Sequence, residues 1–264
     1  MPDPNRLSVL VAMILLAYAL ARFINLPGRE LAIQLPGVYF ELNLNINTVV
    51  ALLVAGLTAT GADWLLRQHP SASQHNIVEH WLLPSLTSWV IGIPLFQLPL
   101  NPRWWWGFII GGILLTLVLI AEYITIDPED ERQPLAAAGL IALSFALFLS
   151  LTISLRFAGF RLFLIMPALT LAASLVSIRT LHLRLHGRWA IIQSATVALI
   201  CAQVAAALHY LPISPISYGL ILLAPAYTIT SVISNLTESK TIKQAFLEPL
   251  IVFVIVIGTA LWIN

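Results

Sequence analysis

Charge is what this sequence has least of. Only 9% of its 264 residues are Lys, Arg, Asp or Glu, while 59% are hydrophobic. Soluble domains carry roughly 25% charged residues, and a chain of this length with so few could not cover a water-exposed fold. A formal net charge of +1, with no dense Lys/Arg run, also argues against the basic groove that nucleic acid requires. Cysteine is scarcer still. Cys201 stands alone inside an apolar run, which excludes an internal disulfide and a multi-cysteine metal site. The sequence has no His-Glu-x-x-His, no Gly-x-Ser-x-Gly, no phosphate loop and no paired Asp-rich prenyl-diphosphate motif, so it leans away from an enzyme and implies no metal or cofactor. It also lacks internal repeats, low-complexity tracts and long linkers, and 1–264 reads as a single transmembrane helical domain.

What the sequence does have is long apolar runs, and runs of about 18 or more residues are the mark of bilayer-spanning helices. Leu135 to Leu155 and Ile251 to Ile263 are continuously apolar, which is incompatible with the alternation of a β-barrel. The expected fold is therefore an all-α integral membrane protein, a polytopic bundle of about nine transmembrane helices. Spans are predicted near 7–24, 46–66, 81–100, 104–125, 135–156, 161–180, 189–210, 214–234 and 244–263. The third is the weakest, because Pro84, Pro94 and Pro99 interrupt it, and a kinked or re-entrant segment is expected there. Arg6, the apolar stretch from Leu7 and Ala17-Tyr18-Ala19 faintly match a signal peptide. The run continues to Ile24, however, which favours an uncleaved first helix.

Lys and Arg are retained in cytoplasmic loops, and their modest bias places the N-terminus in the cytoplasm and Asn264 outside. Between the first two spans, Leu31, Ile33 and Leu35 alternate before Pro36-Gly37, and Val38, Phe40, Leu42 and Leu44 alternate after it. Period two around a turn dipeptide predicts a short extracytoplasmic β-hairpin resting on helix ends or lipid headgroups. Trp104-Trp105-Trp106, with Trp64, Trp81, Trp189 and Trp262, falls near helix ends, where indoles anchor at headgroup depth.

Ionisable groups inside a membrane cost at least about 2.5 kcal/mol each, so each raises a question of function. Asp63 ends the second run, Glu79 and His80 precede the third, Glu122 closes the fourth, Arg179 ends the sixth, and Glu248 lies one turn into the ninth. All approach the predicted cytoplasmic face. Asp63, His80, Glu122, Arg179 and Glu248 are the candidate lining of a cytoplasmic-side vestibule for a cation, a proton or an anionic lipid head. The plainer alternative is that each reaches water or pairs locally, with Arg67 or Lys243 for example. Milder polarity forms stripes: Gln193, Thr196, Gln203 and Ala207 on the seventh span, Thr170, Ser174 and Ser177 on the sixth, and Thr228, Ser231 and Ser234 on the eighth. All are expected to face protein and to serve packing. His182 and His186 have helical ligand spacing, but Arg179, Arg184 and Arg188 surround them, which suits anionic lipid heads better than a metal. Ser239-Lys240 lies in a polar loop where the lysine stays solvated, a poor setting for a nucleophile and base.

Gly61-Ala-Asp-Trp-Leu-Leu-Arg-Gln-His-Pro70, the hairpin before it and Arg179-Thr-Leu-His-Leu-Arg-Leu-His-Gly187 together resemble an uncharacterised family of bacterial multi-pass membrane proteins, a domain of unknown function. The resemblance implies a bacterial inner (plasma) membrane and supplies no catalytic or binding residue. The leading functional reading is a non-catalytic scaffold or subunit of an envelope assembly, with the lipid bilayer and other membrane proteins as partners. A transporter of a small solute, ion or lipid is the second reading, with the proline-broken third span as its mobile element. An intramembrane lipid-modifying enzyme using Asp63 or Glu122 as base is the third.

Overall fold

The computed structural model describes residues 2–23, 29–35, 38–44, 46–70, 78–97, 99, 102–185, 187–238 and 241–264. The helices are α1 (Pro4–Phe23), α2 (Ile46–Leu66), α3 (Glu79–Gln97), α4 (Pro102–Ile124), α5 (Gln133–Phe157), α6 (Leu162–Arg184), α7 (Ile191–His209), α8 (Pro215–Thr237) and α9 (Ile242–Ile263). Among the described residues, eight helices are long and apolar enough to cross a membrane, and α3 is not one of them. A multi-pass membrane protein is the class this fits. Between α1 and α2, β1 (Arg29–Leu35) and β2 (Val38–Leu44) pair antiparallel, with Arg29 opposite Leu44 and Leu35 opposite Val38. The expected Pro36-Gly37 turn lies outside the described residues, as do the hairpin's side chains and hence what they rest on.

The chain divides into two compact units, Met1–Tyr123 and Ile124–Asn264. In the first unit successive helices run antiparallel. At one end the Arg6 guanidinium lies 4.8 Å over the Trp64 ring, and the His69 ring packs 4.7 Å from Tyr123. At the other end Arg22 donates to the Phe96 carbonyl (2.7 Å) and the Trp104 indole to the Leu95 carbonyl (3.2 Å), satisfying carbonyls that the last turn of α3 leaves open. The helix α3 therefore runs the length of the unit. It is one continuous helix with Pro84 and Pro94 inside it.

The sequence under-reads α3 because its environment is protein. No residue from Glu79 to Phe96 is exposed, so the side chains need not be as apolar as those that meet lipid. Its hydroxyls are satisfied by its own backbone: Ser85 donates to Trp81 O, Thr87 to Leu83 O and Ser88 to Ser85 O, at 2.7, 2.7 and 2.9 Å. At Gly92 the helix lies close against α1, and an added Cβ would be 2.6 Å from the Tyr18 ring. That gap lets the Tyr18 hydroxyl donate to Ser88 O at 2.7 Å.

In the second unit five helices again alternate. Arg156, near the end of α5, donates to the His209 and Leu211 carbonyls at 2.6 and 2.9 Å and so caps α7. At the opposite end Arg184 of α6 donates to Ser231 of α8 at 3.0 Å. Pro249 in α9 has no N–H for the carbonyl of Ala245, four residues earlier. Asn235 of α8 supplies the missing donor, its Nδ2 lying 3.3 Å from Ala245 O. Thr228 reaches the Pro249 carbonyl itself at 3.3 Å. Gly187, at φ 86°, ends α6 by turning its N–H back to His182 O.

Three sequence expectations change. The sixth helix was predicted to stop near residue 180, with Arg179 marking its edge. It continues to Arg184 and encloses Arg179, which is 1% exposed. Of the triple tryptophan, Trp105 and Trp106 are exposed as anchoring requires, whereas Trp104 is buried against α3. The largest departure is in α7. Gln193, Thr196, Gln203 and Ala207 all lie on its exposed side, and Ser194, Val197, Ala198, Cys201 and Ala205 form the packed side. The polarity of the stripe suggested protein contact, but the small residues around Cys201 pack more closely and set the rotation of the helix.

Candidate functional site

The first unit brings its chemistry to one end. There α2 finishes, α3 begins and α4 finishes, because consecutive helices joined by short connections run antiparallel. His80, in the first turn of α3, and Glu122, in the last turn of α4, meet in the interior: His80 Nδ1 lies 2.7 Å from Glu122 Oε2, with side chains 6% and 0% exposed. Glu79, also buried, precedes His80 at the start of α3, where a carboxylate is favoured by the helix dipole. Tyr123 follows Glu122 and carries the ring contact to His69.

Asp63 forms a more superficial pair one turn from the end of α2, its Oδ2 accepting from Arg67 Nε at 2.7 Å. That hydrogen bond, and then the carboxylate charge, raise the Arg67 guanidinium above its ordinary value. Arg67 is well exposed, so the pair contributes little to stability. The other carboxylate oxygen, Asp63 Oδ1, is buried without a hydrogen-bond partner.

Of the five candidate residues, the structure joins His80 directly to Glu122 and ties Asp63 to Arg67. Arg179 and Glu248 belong to the second unit. Buried Arg179 has Thr125 Oγ1 at 3.4 Å from its Nη2. Glu248 is exposed on α9, the least buried of the apolar helices. Among the described residues no cluster of three or more His, Cys, Asp or Glu is arranged to hold a metal. His186, half of the spaced histidine pair, and Ser239-Lys240 lie outside the described residues. His182 is buried, with its ring 5.3 Å from Trp189.

A buried imidazole and carboxylate in hydrogen-bond contact can share one proton. Bringing both below the surface costs several kcal/mol per ion before their mutual attraction offsets it, and their contact ties the first turn of α3 to the last turn of α4. Sequence reasoning found both residues but not their pairing, since 42 positions separate them. It missed Tyr123 and Thr125, whose only signal was adjacency to Glu122.

Over residues 26–263 the chain matches the model of DUF5656, a family of proteins of unknown function. The chain belongs to this family. The DUF5656 match takes in the hairpin and α2 to α9, hence Asp63, His80, Glu122, Arg179 and Glu248, and leaves α1 outside. Neither the curated proteins nor the solved structures compared give a match.

Proposed function

We propose that this chain is a non-catalytic component of a membrane assembly, a subunit or scaffold held by helix contacts. The observation that carries the reading is Gln203. This residue sits about 18 Å along a helix about 28 Å long, on the exposed side, with no hydrogen bond found for its carboxamide among the described residues. Hydrocarbon offers an amide neither donor nor acceptor, so another polar helix face is its natural neighbour. In this reading α3 is a ninth crossing, the N-terminus is cytoplasmic, and the membrane is the bacterial inner membrane, as the Lys/Arg bias and the sequence resemblance suggest. Native mass spectrometry of protein released gently from its membrane tests it. A stoichiometric protein partner is the expected result, and a bare monomer, with or without lipid, overturns it.

A second reading is favoured by the His80–Glu122 pair: proton-linked movement of a small solute or ion, with proline-bearing α3 as the moving element. In proteoliposomes loaded with a pH-sensitive dye, proton flux that vanishes in Glu122→Gln supports this reading. Flux equal to that of empty vesicles removes it.

A further inference from the structure

The exposed face of α7 has a pattern that narrows the partner. Ile192, Thr196, Leu199, Gln203 and Ala207 are all exposed and fall at spacings of 4, 3, 4 and 4. That sequence of steps, read from Ile192 to Gln203, is the alternation of a left-handed helix–helix seam. Thr196 has already satisfied its hydroxyl on Ile192 O at 3.0 Å, and Gln193 lies within a turn of the helix start, close in sequence to exposed Trp189. Gln203 is thus the one amide of the stripe set deep in the apolar length. It occupies the kind of seam position at which a single buried amide fixes register and pairing in coiled coils.

We infer that this face docks against the same face of a second copy of the chain, an inference that rests on the assembly reading above. The argument is complementarity. A carboxamide is both donor and acceptor, so Gln203 is matched by another Gln203, with the C=O of each accepting from the NH₂ of the other. Copies of one membrane protein insert in the same orientation, so a twofold axis along the membrane normal sets α7 parallel to its mate and brings each residue opposite itself. Thr196 and Ala207 are small enough to allow close approach on either side of the amides, while Ile192 and Leu199 fill the intervening layers. No other helix of the second unit has a glutamine at this depth; α5 and α9 expose small or apolar side chains along their central turns.

The test uses the full chain with Cys201→Ser, so that a single introduced cysteine can form only intermolecular disulfides. Thr196→Cys in native membranes, treated with a mild oxidant, is expected to give a dimer of twice the chain mass. Val254→Cys on the exposed face of α9 should stay monomeric. Adding Gln203→Leu should weaken the dimer about five-fold in detergent, in keeping with the modest worth of interhelical hydrogen bonds, and Gln203→Asn should retain much of the association. Equal cross-linking at positions 196 and 254, or dimerisation unchanged by Gln203→Leu, overturns the inference. Cross-linking of residue 196 to a different protein also overturns the second copy and leaves the assembly reading standing, whereas a monomer under every condition overturns both.

Discussion

One polar pair in the first unit and one amide in the second are placed in opposite ways. In the first, His80 and Glu122 are withdrawn from every apolar surface and satisfy each other across the α3–α4 contact. In the second, Gln203 is left on the outside of α7 while apolar and small residues turn inward. A polar group enclosed by its own chain is a commitment to one internal packing. A polar group held outward on an apolar helix has its partner elsewhere. The first should therefore report on folding of the unit, and the second on association, with little effect on the fold.

Removing one member of the enclosed pair should have the largest effect. His80→Leu removes the hydrogen-bonded imidazole from buried Glu122, and the expected loss is about 3–5 kcal/mol of resistance to unfolding in detergent. The double variant His80→Leu with Glu122→Leu should recover most of that, since a buried ion pair replaced by apolar residues is often neutral. A single substitution costing under about 1 kcal/mol would show that the pair is not load-sharing in the α3–α4 contact. Next comes Gly92→Ala, whose methyl would meet the Tyr18 ring at 2.6 Å. Overpacking of this kind costs about 1–3 kcal/mol, and a thermal shift measured in parallel with Tyr18→Phe separates the clash from loss of the hydrogen bond to Ser88.

A smaller effect, about 1 kcal/mol, is expected for Asn235→Leu, which strips the donor from Ala245 O. The sharper experiment is the cycle with Pro249→Ala. Once residue 249 has its own N–H, the cost of Asn235→Leu should fall, and an unchanged cost in that background would show that the carbonyl was not what the side chain serves. The smallest effect belongs to Gln203→Leu: unfolding of the monomer should stay within about 0.5 kcal/mol of the parent, as for a surface change. A larger loss would place Gln203 inside its own unit and dissolve the contrast drawn here.

How much of this was legible in the sequence follows from what each feature depends on. Hydrocarbon thickness sets helix length, so α2 was read at 46–66 and is found at Ile46–Leu66. Charge was a poorer guide to boundaries. Arg179 looked like the edge of a span because a guanidinium is at home in water, yet the helix carries it into the interior. Pairing between His80 and Glu122 depends on how α3 meets α4, and no local pattern encodes that. The rotation of α7 was misread for a related reason. A stripe of Gln and Thr and a stripe of Ala, Ser and Cys both qualify as packing faces, and only the neighbours decide which is used.

The enclosure of α3 bears on how the chain is made. A segment that begins Glu79-His80 and carries two internal prolines is a poor substrate for partitioning from a translocon into lipid one helix at a time. Its route inward runs through company: α2 must already stand beside it, and α4, bringing the carboxylate for His80, must arrive before α3 can settle. Synthesis halted just after residue 97 should therefore leave α3 accessible to aqueous reagents, and extension past Tyr123 should seal it.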